Sequence, residues 1–201
     1  QLPIFGPGVP SIVAEFPLFQ AIVAVLLGLS GGASVDAVEV AARAVNFAFF
    51  LLASYALFRV LGAQFQASTA RAVTALWLLM PFTWFWSFAV MIEFMALALT
   101  LLFLAEIYFL SASPDRFRRH LWAACAFGIL AALVKVTTFS VMVPSAALVY
   151  VVNRNLHRTR RLARRDIGAA VVAFAIPLLA GAAWMLWTSA TRGQNVYQAD
   201  M

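Results

Sequence analysis

The stretch MPFTWFWSFAVMIEFMALALTLLFLAEIYFL, from Met80 to Leu110, constrains this chain more than any other. It is long enough to cross a bilayer and almost wholly apolar, yet Glu93 stands near its middle. A carboxylate in hydrocarbon costs about 2.5–3.5 kcal/mol on insertion scales, so such a residue marks a functional site by default. A helix start at headgroup level would also tolerate it without function, because the helix dipole favours an acid there. Upstream, Pro81 and the aromatics Phe82, Trp84, Phe85 and Trp86 read as an interfacial belt. The belt puts Glu93 at one membrane surface, at the mouth of a new helix. A membrane enzyme would keep a carboxylate there.

The rest of the chain agrees with a membrane setting. Hydrophobic residues make up 64% and charged residues 11%, against about 25% charged in a soluble domain. Mean hydropathy is +0.92. Long unbroken apolar runs predict helices rather than a barrel. The expected fold class is therefore all-α: a polytopic transmembrane bundle of about six spanning helices plus a juxtamembrane helix. The net charge of +6 does not imply nucleic acid, because the arginines cluster between apolar runs. Cys125 is the only cysteine and sits in an apolar run, which rules out an intrachain disulfide and suits a small buried side chain.

Taken in order, Gln1–Pro10 holds three prolines and two glycines and reads as a loop. Pro17 opens a helix that the glycines from Gly28 to Gly32 close. Its apolar run of about 14 residues is too short to span, so Phe16–Leu29 is expected to lie at the membrane surface or dip into it. Spans are expected at Val38–Leu61, Ala72–Phe88, Glu93–Leu110, Leu121–Val134, Phe139–Val152 and Ile167–Trp187. This makes 1–201 a single membrane domain. Residues 1–38 form an external loop with the juxtamembrane helix, 39–188 carry the spans, and 189–201 begin another external loop. The chain starts in a loop with Gln1, and the expectation is that a first span and a C-terminal part lie outside it.

Alternating the six spans places Arg59, Arg71, the Arg116–Arg119 group and the Arg154–Arg165 group on one side, 11 of the 14 Lys and Arg residues. The positive-inside rule makes that side cytoplasmic. Read plainly, the arginine runs are topology signals and contacts to anionic headgroups. His120 and His157 fall on this side and read as solvated, with no metal role. Glu15, Glu93 and Lys135 fall together on the outer side. Two carboxylates and an ammonium suit a phosphate-linked substrate. A carboxylate can take a hydroxyl proton or hold a divalent cation against a phosphate, and a lysine neutralises phosphate oxygens as a compact charge. Any six-span protein shows a few outer charges, so residue type alone says little.

Several segments resemble one family. AEFPLFQAIVAVLLGL is similar to the end of the first external loop in GT-C glycosyltransferases, in the branch of protein O-mannosyltransferases and bacterial lipid A aminoarabinose transferases. EVAARAVNFAFFLLASYALFRVLG resembles the span that follows, with an arginine near each end. PFTWFWSFAVMIEFMALALTLLFLAEIYFL resembles a pair of spans in which an acid opens the second. LAALVKVTTF resembles a small-residue run that ends in lysine. Each motif is loose, and their order and spacing over roughly residues 11–190 carry the likeness.

The resemblance implies catalytic roles for Glu15 and Glu93, a contact of Lys135 with a lipid-linked phosphate, and a divalent metal cation at Glu15 in some members. No obligatory cofactor follows. The partners it implies are a polyprenyl-phosphate-linked sugar, a lipid, glycan or protein acceptor, and membrane lipids. No acid precedes Glu15, so nothing here matches the family's first-loop catalytic aspartate. Position 93 is aspartate in many relatives and glutamate here. The expected function is sugar transfer on the outer face of a bacterial inner membrane. A transporter or flippase, which would call for broken helices or internal repeats, and a non-catalytic membrane subunit are the rivals. Neither broken helices nor repeats are evident in the sequence.

Overall fold

The structure is a computed structural model, and it describes residues 16–30, 34–89, 92–112, 116–157 and 164–196. Eight helices make up the described chain, with no strand among them: α1 (Leu18–Ser30), α2 (Val35–Gln64), α3 (Ala67–Leu79), α4 (Pro81–Ser87), α5 (Glu93–Ala112), α6 (Phe117–Val134), α7 (Val136–His157) and α8 (Arg164–Val196). Five of them, α2 and α5 to α8, are long and apolar enough to cross a membrane. At 13 residues α1 is the short apolar helix expected ahead of them.

Side-chain pairings fix the directions. Phe50 meets Phe94 and Arg59 meets Glu106, so α2 runs parallel to α5. His120 meets Glu106 and Lys135 meets Glu93, so α6 runs back along α5. Phe139 meets Phe103 and Asn153 meets Ser111, which returns α7 in the direction of α5. Gly128 faces Pro177 and Gly181 faces Ala132, which sets α8 parallel to α6. Two ends of the bundle follow. One holds Glu93 and Lys135, the other Glu106 and His120.

The second expected span, Ala72–Phe88, is not one helix. It is α3 and α4, broken at Met80 (φ −65°, ψ 125°). Pro81 forces this break: the residue before a proline is pushed out of the α region, and the proline itself suits the first position of a new helix. The expectation of one unbroken span here is corrected by this break. The two pieces still retrace α2. Trp77 Nε1 donates to Ser54 Oγ at 3.0 Å, and the α4 carbonyls of Trp86 and Ser87 reach Asn46, two turns nearer the start of α2.

A broken backbone in an apolar setting must satisfy its polar groups from within, and side chains nearby supply donors to several of these carbonyls. Thr83 Oγ1 donates to the carbonyls of Trp77 and Met80, both at 2.7 Å, and Trp84 Nε1 donates to Leu78 O. The end of α4 is served by α2. Asn46, with 0% exposure, points its amide Nδ2 at the carbonyls of Trp86, Ser87 and Ala89 at 2.9–3.0 Å. Arg43, one turn earlier, donates to Phe88 O at 3.1 Å.

The core surrounds α5. Of its most apolar 18-residue window, 78% is buried, against 22% for α7 and for α8. A helix that is apolar all round belongs in the middle. On α7 and α8 the apolar side chains Val141, Leu148, Leu179 and Leu186 are exposed, as suits helices at the outside of a membrane bundle. Close approach of α6 to α8 needs Gly128: a Cβ there would lie 2.6 Å from Pro177 Cγ and 3.0 Å from Phe103 Cδ2.

Candidate functional site

Glu93 is the first residue of α5, and Lys135 is the single residue that turns α6 into α7. The Lys135 backbone leaves the helix (φ −155°, ψ 88°), while its N–H still bonds Ala131 O and its carbonyl accepts from Phe139 N. The two helix ends therefore lie side by side, and Lys135 Nζ donates to Glu93 Oε1 at 2.7 Å. Each charge suits its own helix, an anion at an N-terminus and a cation at a C-terminus. Their side chains are 47% and 25% exposed, so the pair sits at the surface of the bundle end. An exposed pair is worth about 0–1 kcal/mol, which leaves both groups available to a ligand at little cost in stability.

Glu15, expected as the second carboxylate and as the metal carboxylate, lies outside the described residues. Its chain neighbour Phe16 donates its N–H to Leu133 O at 3.2 Å and sets its ring edge-on to Trp184, 5.0 Å between centroids. Phe16 thus joins α1 to the last turn of α6, two residues before Lys135. On the other flank of Glu93 stands the aromatic cluster of α2 and α4. Phe47 stacks on Phe88 at 5.2 Å, and Trp84 stacks on Phe88 at 5.8 Å. The Asn46 and Arg43 bonds described above hold the end of α4 shortly before α5 begins. Among the described residues no three His, Cys, Asp or Glu side chains come together as metal ligands.

The other end of the bundle holds a cluster that sequence reasoning missed. Glu106 is 6% exposed on α5. Its Oε1 accepts from Arg59 on α2 at 3.1 Å, and its Oε2 lies 2.6 Å from His120 Nδ1 on α6. The His120 ring stacks on Phe109 at 5.5 Å, and the Arg59 guanidinium lies 5.0 Å from the centre of the same ring. The expectation of a solvated His120 is therefore corrected: α6 begins at Phe117 rather than Leu121, and the added turn carries His120 onto α5. His157 closes α7, and its side chain lies outside the described residues. The signal was present as a second carboxylate, Glu106, thirteen positions after Glu93 in the same apolar run. A buried carboxylate needs partners, and Arg59 and His120 were the nearest candidates at that depth.

Comparison with models of known protein families, with curated proteins and with solved structures found no match. Fold and composition define the class: this is an integral, multi-pass membrane protein built as an all-helical bundle.

Proposed function

We propose that the protein is a membrane glycosyltransferase of the GT-C type, which moves a sugar from a polyprenyl-phosphate donor to an acceptor at the Glu93 end of the bundle. The observation that carries this reading is the Lys135–Glu93 pair at 2.7 Å, where the start of α5 meets the turn between α6 and α7. A lysine and a carboxylate side by side suit the two charges of the reaction. Glu93 takes the proton of an acceptor hydroxyl as its oxygen bonds the anomeric carbon. The bond from that carbon to the phosphate oxygen breaks with inversion, and Lys135 receives the lipid phosphate that leaves. The non-spanning α1 and the aromatics of α4 flank the pair, as headgroup-level elements would. Glu15 is the second acid of the reading. Glu93 alone among the described carboxylates accompanies Lys135, so no step is routed through a metal.

By arginine asymmetry the Glu93 end faces outward from a bacterial inner membrane, and the Glu106 end faces the cytoplasm. Transport is favoured by one observation, the break at Met80. The carbonyls of Trp77, Leu78 and Met80, however, already accept from Thr83 and Trp84, which leaves fewer at the break to bind a substrate. The test is transfer from a polyprenyl-phosphate sugar in membranes containing the protein. Lys135→Ala should raise the KM for the donor, Glu93→Gln and Glu15→Gln should lower kcat, and all three should keep the wild-type melting temperature. Full transfer in the Glu15→Gln, Glu93→Gln double variant would end the reading.

A further inference from the structure

At the Glu106 end a cleft of about 530 Å³ lies between the end of α2 and the second half of α7, floored by Tyr108 of α5. Small-molecule sites span about 300–1,000 Å³, so the cleft has the size of a real site. Its walls are pinned to its floor. Tyr108 Oη donates to Ala63 O at 2.6 Å, holding the last turn of α2. Asn153 Nδ2 donates to Ser111 Oγ at 2.5 Å and to Tyr108 O at 3.4 Å, holding α7. These bonds occupy the Tyr108 hydroxyl and the Asn153 amide N–H groups, and what remains toward the cleft is mainly hydrocarbon from Phe65, Leu148, Val149 and Val152. Phe65 is 54%, Leu148 64% and Val152 46% exposed, so the cleft opens sideways to the surroundings of the bundle.

We propose that this cleft binds one acyl chain of an anionic phospholipid, with the lipid phosphate at the arginine-rich end. The apolar, sideways-open interior selects a hydrocarbon chain arriving from the bilayer. Charge selects the headgroup. Arg71, in the second turn of α3 and six positions after the cleft-lining Phe65, donates its Nε to Ala67 O at 3.1 Å near the α2–α3 corner. Arg116, Arg118 and Arg119 are exposed at the same end. Glu106, a buried carboxylate at this end, is already held by Arg59 and His120 and itself offers little repulsion to a phosphate. Basic pockets between membrane helices bind anionic headgroups for this reason. The site is separate from the Glu93 end and does not depend on the reaction proposed there.

Native mass spectrometry of the protein carried in phosphatidylglycerol or in phosphatidylcholine of the same acyl chains tests the proposal. One phosphatidylglycerol should be retained in preference to phosphatidylcholine. Arg71→Ala should reduce that preference by about fivefold, the effect of one arginine at a lipid surface. The Ala63→Phe, Val149→Phe double variant, which fills the cleft without changing charge, should abolish retention. Equal retention of the two lipids, or undiminished retention in the folded, filled variant, overturns the proposal. Should the filled variant fail to fold, the unaltered protein decides. A phosphatidylglycerol with a photoreactive group in its acyl chain should attach to residues 63–65 or 148–153, and attachment spread evenly over the lipid-facing helices refutes the site.

Discussion

Two kinds of ion pair occur in this molecule, and burial separates their work. Glu39 and Arg43 lie one turn apart on α2 with side chains 52% and 48% exposed, a pair worth about 0.5 kcal/mol or less. Glu106 is 8% exposed at its side chain and serves both Arg59 and His120. Glu106→Ala would strip both partners at once, and the loss should be about 1–3 kcal/mol, the penalty for a buried polar group left unmade. Thermal unfolding in detergent should therefore show Glu106→Ala well below wild type and Glu39→Ala close to it. Equal melting temperatures for the two variants would mean that the Glu106 cluster contributes no more than an exposed pair.

At the scale of the helices, small and polar residues decide how neighbours meet. Asn46 belongs to α2 but completes α4. Asn46→Leu would keep the volume and leave the carbonyls of Trp86, Ser87 and Ala89 without their donor, at a cost of about 1–3 kcal/mol. Faster amide exchange over 84–89 than over α5 should report that loss locally, and unchanged exchange there would refute the role. Gly128 works by absence. An alanine Cβ would meet the ring of Pro177, which cannot swing away, so Gly128→Ala should destabilise by about 1–3 kcal/mol through overpacking. Gly181→Ala, whose nearest neighbours stand at 3.2 Å, should cost less, and the order of the two melting temperatures checks the packing of α6 on α8.

For the whole molecule the testable quantity is orientation. Residues 16–19, 43–46, 88–89, 92–93 and 133–136 meet at one end, and 59–67, 106–112 and 116–120 meet at the other. The arginines Arg59, Arg71, Arg116, Arg118 and Arg119 lie at the second end. In a Cys125→Ser background, cysteine at position 157 should react only with reagent that has crossed the membrane. Cysteine at position 36 should react in intact cells. The reverse pattern would invert the orientation and move the Glu93 end to the cytoplasm.

Apolar runs of bilayer length made an all-helical membrane bundle readable from sequence, because no other arrangement satisfies so much backbone in hydrocarbon. The short α1 was readable for the same reason, its run being too brief to span. The acid that opens α5 and the lysine that ends α6 were readable as residues, and alternation of spans placed them at one end. Their contact at 2.7 Å is a tertiary fact, set by the one-residue turn at Lys135 and by the packing of α6 on α5. The break at Met80 was written in Pro81 but hidden by the unbroken apolar composition around it. The Arg59–Glu106–His120 cluster was hidden more deeply. Its members come from three helices, 47 and 14 positions apart in sequence, and nothing local to any of them specifies the others. Hydropathy and charge act along the chain and can be read there. Partnership between buried polar groups depends on which helix faces join, and only the folded bundle decides that.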